Sequence, residues 1–184
     1  MSSKHRVLAL LGAGLTAFAL SATAIGTASA ADARQVQIRD DCDPTTFNAV
    51  VGPGTCAGKG KTTFADFVAE LTATQTAKRW VFKPSEAGAR AGQMVVATNR
   101  GGETHTFTCV TKFGGGVVAF LNHLTGNDAL AQPCNFATVF DAVGPTAVAP
   151  GTSSKPVTIG SSDTVKFQCV IHPWMRTEFH VEHS

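Results

Sequence analysis

Clusters of lysine and arginine are missing from this chain. Nucleic-acid and anionic-membrane partners need such clusters, so neither class of partner is expected. Beyond residue 30 there is no apolar run long enough to span a bilayer, which excludes a membrane-spanning segment in the remainder. No cysteine directly follows the N-terminal apolar run, which argues against a lipid-anchored start. No Ser-His-Asp set and no paired carboxylates stand out. Hydrolytic chemistry therefore has no support, and a carrier is expected rather than an enzyme. Internal repeats and low-complexity tracts are also absent.

What is present begins with a basic start, MSSKHR, followed by VLALLGAGLTAFALSATAI and the small residues TASA before Ala31. This is the layout of a secretory signal peptide over residues 1–30, cleaved after Ala30, so an exported (periplasmic or secreted) protein is expected. Removing it takes away Lys4 and Arg6 and leaves thirteen basic against thirteen acidic side chains. The remaining 154 residues suffice for one domain with a core.

Five cysteines remain: Cys42, Cys56, Cys109, Cys134 and Cys169. Thiols pair in an oxidising compartment, and an odd one needs a reason. Cys169 lies in CVIHPWM and is expected to be the unpaired one. Four cysteines allow three connectivities; the local choice is Cys42–Cys56 with Cys109–Cys134.

Residues 31–41 are polar and read as loose, and 42–60 as turn-rich. Phe64, Phe67, Val68 and Leu71 fall on one helical face, and Thr63 with Asp66 resembles a capping box. One amphipathic helix is expected over residues 63–77. After Lys78 the pattern turns to short strands: RWVFKP, QMVVATN, ETHTFTCV, ATVFDAV, KPVTIG, TVKFQCV and TEFHVEH. Turn-punctuated strands of this kind point to an all-β sandwich. Residues 111–135 read as an excursion from the sheet.

Cys169, His172 and Met175 stand three residues apart at the end of TVKFQC. A thiolate, an imidazole and a thioether suit copper and not the oxygen-seeking Mg or Ca. A second imidazole is needed. His105 in ETHTFT supplies it, since alternation puts His105, Phe107 and Cys109 on one inward face. Taken alone, His105 reads more readily as a satisfied core histidine than as a ligand. An unpaired cysteine, the C-x-x-H-x-x-M spacing and an inward histidine together call for a metal.

These residues resemble the cupredoxins, the small blue copper proteins. CVIHPWM is most similar to the amicyanin form of their ligand loop. WVFKPSEAGARAGQMVVATNRGGETHTF resembles their early strands, and the resemblance covers about residues 79–184. It implies a Greek-key β-sandwich over 79–184. Residues 31–78, with the expected disulfide and helix, lie outside the family's usual core and are read as an N-terminal extension. The resemblance also implies one type 1 copper ion held by His105, Cys169, His172 and Met175. The protein would be a monomer passing single electrons to a redox partner protein. That partner would dock where His172 nears the surface, with Pro173 and Trp174 as an apolar patch. The family usually carries Asn after its first ligand histidine, where this chain has Thr106; the hydroxyl could tie the ligand segments together in its place. Copper handling outside the cytoplasm, or a non-redox interaction module on the same scaffold, are the other functions weighed. Zinc competes for such donors.

Weaker signals surround this set. Glu103 could offer an oxygen ligand but reads as a turn residue. His123 reads as a surface residue. His180 and His183, flanking Glu182, could make a second metal site but read as a polar tail. GTCAGKGKTTF imitates a phosphate-binding loop, yet five residues separate Gly54 from Gly60 where the motif has four. A solvated turn is expected there.

Overall fold

A computed structural model describes residues 33–182 of the chain. The expected signal peptide and His183 lie outside the described residues. Eleven strands and four helices follow one another along the described chain.

The first strand, β1 (Arg34–Arg39), lies in the stretch read as loose. RQVQIR alternates, and Val36 and Ile38 are fully buried. Its polar residues outnumber its apolar ones, so the strand depends on its neighbours. Those are β2 (Val81–Lys83), antiparallel to it, and β4 (Met94–Asn99), parallel to it. With β9 (Val157–Thr158) they form a four-stranded sheet in the order β2-β1-β4-β9. The segment set apart as 31–78 thus supplies a central strand of the sandwich.

The second sheet orders β3 (Glu86–Arg90), β11 (Arg176–Glu182), β10 (Thr164–Gln168), β6 (Thr108–Lys112) and β7 (Gln132–Pro133). The two sheets face one another across a single core. Val36, Ile38 and Val95 come from the first; Phe167, Phe179 and Val181 come from the second. Phe107 stacks on Phe167 with ring centroids 4.3 Å apart. The β-sandwich expected from the sequence is therefore what forms. A separate short pair joins β5 (His105–Thr106) to β8 (Ala147–Val148). ETHTFTCV is thus not one strand. It breaks at Phe107, and Thr106 and Thr108 are buried as fully as His105.

The N-terminal segment carries two helices where one was expected. Helix α1 (Pro44–Val50) starts with Asp43 as N-cap and Pro44 in the first turn, a recognised start signal inside a stretch read as turns. Helix α2 (Phe64–Thr74) is the expected one, capped by Thr63 and ended by Gln75 at φ 61°. Phe67 and Leu71 are buried, while Phe64 and Val68 pack partly buried against the core. Phe47, Phe67 and Trp80 form one aromatic cluster, with centroids 5.7 Å apart for Phe47–Trp80 and 4.6 Å for Phe67–Trp80.

ATVFDAV, read as a strand, is helical instead: it falls mostly in α4 (Val139–Thr146). Thr138 and Asp141 form a reciprocal capping box there. The β-branched residues suggest a strand, but the cap and the buried pair Val139 and Ala142 at i, i+3 fit a helix. The excursion 111–135 contains α3 (Ala119–Leu124).

Candidate metal centre

Three segments distant in sequence meet at one end of the sandwich. Cys169 follows directly on β10, is fully buried and is the free cysteine among the described residues. The other four pair as Cys42–Cys56 and Cys109–Cys134, the local connectivity. After Cys169 the chain folds back on itself. The Met175 N–H donates to the His172 carbonyl at 3.0 Å, and the Cys169 N–H donates to the Met175 carbonyl at 3.0 Å. This closed loop aims the His172 ring at the sulfur, while β5 brings His105 from the other side. Cys169 Sγ lies 3.8 Å from Nδ1 of His105 and 3.8 Å from Nδ1 of His172. The three donor atoms lie within 4.8 Å of one another. Met175, in the same loop, is 1% exposed.

The donor set fits a metal. Metal–sulfur and metal–nitrogen bonds of about 2.3 and 2.0–2.1 Å, set roughly 120° apart in a trigonal plane, separate S from N by about 3.8 Å. Both Sγ–Nδ1 distances have that value.

The surroundings favour a thiolate. The backbone N–H groups of Thr106 and His172 both point at Sγ, each at 3.4 Å. Burial pushes the Cys169 thiol up, but the two imidazoles beside it outweigh burial and hold it well below its ordinary value. His105 responds in the opposite sense. Burial pushes its imidazole down, yet the hydrogen bond to Asp40 and the Cys169 sulfur raise it to about 9.

Asp40 is the residue that sequence reading missed. Its Oδ2 lies 2.8 Å from His105 Nε2, and its side chain is 1% exposed. It also accepts from the N–H groups of Gly102 at 2.9 Å and Glu103 at 3.0 Å. Burial raises its carboxyl, but these bonds, the one to His105 foremost, bring it below its ordinary value. Asp40 thus holds Nε2 and leaves Nδ1 directed at the sulfur, the usual arrangement behind a metal-binding imidazole. The run DDCD offers three acids, and no spacing rule selects the one that faces a histidine 65 residues away.

The turn before His105 is tightly fixed. Asn99 donates to the carbonyls of Glu103 at 2.7 Å and Val148 at 2.8 Å. Gly102 packs so closely that a Cβ there would lie 2.5 Å from the Gly58 nitrogen and 2.8 Å from Cys42 Sγ. The Cys42–Cys56 disulfide therefore braces the same turn.

Thr106 fills its expected tying role. Its Oγ1 accepts from the Val170 N–H at 2.8 Å, joining β5 to the loop after Cys169. The excursion supports this loop from behind. The Val117 N–H donates to the Val170 carbonyl at 2.7 Å, and the Gln168 side chain bonds both the N–H and the carbonyl of Gly114.

His172 differs from expectation. It is 3% exposed and lines a pocket, because α1, α2 and α3 stand over it. Its ring faces Phe67 and Trp174, with centroids at 6.5 and 5.4 Å. Its Nε2 is 3.8 Å from Glu103 Oε2, which accepts a hydrogen bond from Trp80 Nε1. Glu103 is thus a buried and engaged residue of that turn, and it is not part of the three-donor group. Asp40, Cys42 and Glu103 also converge, but the Cys42 sulfur is committed to its disulfide. His123 is exposed, and His180 reaches only an exposed Glu86 at 4.0 Å.

No protein-family model matches the chain, and no curated protein does. Several solved structures are similar to it. A purple cupredoxin from Nitrosopumilus maritimus is 13% identical with a TM-score of 0.41, over 81% of this chain and 99% of that one. A reduced tryptophan-to-tyrosine mutant of amicyanin is 22% identical with a TM-score of 0.33, over 55% of this chain and 72% of that one. A reduced proline-to-glycine mutant of amicyanin at pH 4 is 22% identical with a TM-score of 0.34, over 58% of this chain and 77% of that one.

Proposed function

We propose that His105, Cys169, His172 and Met175 hold one copper ion in a type 1 site, and that the protein carries single electrons outside the cytoplasm. The observation that carries this reading is the pair of 3.8 Å distances from a buried free thiol to two imidazole nitrogens. Two imidazoles and a thiolate in one plane, with a thioether near by, are the donors of blue-copper electron-transfer sites. Bound there, copper would supply one-electron chemistry between its two oxidation states. The chain's own part is to keep the donors rigid and dry. Asp40 fixes His105, Thr106 ties the two ligand segments, and the backbone N–H groups of Thr106 and His172 stabilise the sulfur as thiolate. Export is supported by two disulfides, which persist in oxidising compartments. Among the described residues no helix is long and apolar enough to cross a membrane.

Burial and the Thr106 tie favour a retained metal over a delivered one. Voltammetry of the copper-loaded protein, paired with a chelator challenge, tests this. One reversible one-electron wave, with copper kept over many cycles and against the chelator, is the expected result. Rapid loss of copper to the chelator would transfer the reading to copper delivery.

A further inference from the structure

Beside His172 lies a cavity of about 410 Å³, within the roughly 300–1,000 Å³ typical of small-molecule sites. Its wall is built by segments far apart in sequence: Phe47 from α1, Phe64 and Phe67 from α2, Phe120 from α3, and Ile171 from the loop after Cys169. Phe120 and Val51, which also line it, are 52% and 55% exposed. Bare apolar surface of this kind gains when a ligand displaces water from it.

The charge of the wall narrows the ligand. Glu103 and His172 are its ionisable groups, and neither lysine nor arginine lines it. An anion would find no cationic partner and would face a carboxylate. Glu103 uses Oε2 to hold Trp80 Nε1, while its Oε1 takes no hydrogen bond among the described residues. The 3.8 Å from His172 Nε2 to Oε2 is too long for a hydrogen bond. Oε1 is not sealed off, since Trp174 Nε1 is the one buried side-chain polar atom without a partner among the described residues, and so Oε1 is open to a donor in the cavity. Four phenyl rings around the space suit a flat ring, which packs edge-on or offset against them.

We propose that this cavity binds a small uncharged aromatic molecule bearing a hydroxyl, a phenol, with its ring among Phe47, Phe64, Phe67 and Phe120 and its hydroxyl donating to Glu103. The purpose of the site rests on the copper reading, since such a ligand would lie against the imidazole assigned to the metal. Its binding does not, because none of the groups named needs the metal in place.

Metal-free protein titrated with 2-naphthol, followed by backbone amide chemical shifts, tests the proposal. Saturable one-to-one binding is expected, with shifts at Phe64, Phe67 and Ile171 and at least tenfold weaker binding of 2-naphthoate. Val51→Trp fills the mouth from an exposed position and should weaken 2-naphthol at least tenfold. Glu103→Gln keeps an acceptor for Trp80 and should narrow the gap between 2-naphthol and 2-naphthoate. Absence of saturable binding, equal binding of 2-naphthoate, or tighter binding of 2-naphthylmethylammonium would each overturn the proposal. Copper binding is read separately by its colour, so failure of the metal reading leaves the 2-naphthol result standing, and the reverse holds as well.

Discussion

Asp40 and His105 carry much of the chemistry at the residue scale. Replacing Asp40 by Asn keeps the shape and removes the charge behind the imidazole. Losses of about 10–100-fold in metal affinity follow such changes behind a metal-binding histidine. A competition titration of Asp40→Asn against a copper chelator should show a loss of that size, and unchanged affinity would deny Asp40 its positioning role. The metal-free site also sets a pH signature. Folded, His105 is raised from 6.5 to about 9, and Cys169 is lowered well below 9.0. Between pH 6.5 and 9 the folded pair binds one proton, on His105. The unfolded pair also binds one, on Cys169, so the pair's contribution to stability is level across this window. Below pH 6.5 the unfolded chain binds both protons and the contribution falls as pH falls. Around and above pH 9 the folded His105 and the unfolded thiol release their protons together, so the contribution stays level there. Denaturant titrations of metal-free wild type should show that plateau, and Cys169→Ser should lose the acid-side arm. A difference between the two proteins that does not change with pH would rule out the His105–Cys169 ion pair.

Short elements, each tied to distant ones, position the site. Strand β5 is two residues long, and the Thr106 hydroxyl is its bond to the loop after Cys169. Thr106→Val keeps the volume and leaves the buried Val170 N–H without its acceptor, a cost of about 1–3 kcal/mol. Chemical denaturation measures it; a cost near zero would show that the tie is dispensable. The sequence announced some elements clearly. Helix α2 was legible because its cap and its apolar face agree, and β10 and β11 because they are apolar and turn-bounded. Strand β1 was not, because Val36 and Ile38 become a strand only between β2 and β4, which lie dozens of residues on. ATVFDAV misled through its β-branched residues, although Thr138 and Asp141 held the contrary signal. At the site, the loop residues could be read from their spacing, and His105 from its place among Phe and Cys. Asp40 and the buried role of Glu103 could not, since both depend on a turn that Asn99, Gly102 and the Cys42–Cys56 disulfide fix in three dimensions.

For the whole molecule, the N-terminal segment and the sandwich share one core. Val36, Phe47 and Leu71 belong to the same buried cluster as Phe167 and Phe179. Leu71, fully buried in α2, should therefore report on the whole fold: Leu71→Ala is expected to cost about 2–5 kcal/mol in a single cooperative transition. A separate early transition in calorimetry would show that the helical segment melts on its own. Placed over His172, this segment turns what the sequence suggested as an open face into a lined pocket, so access to the site is set by α1, α2 and α3. The claim on which all of this turns is that Cys169 binds copper as a thiolate. A visible absorption spectrum during Cu(II) titration, beside Cys169→Ser, tests it directly. An intense charge-transfer band that saturates at one equivalent and is missing from the variant is the expected result. A protein that stays colourless, or a band that survives in Cys169→Ser, would contradict the assignment.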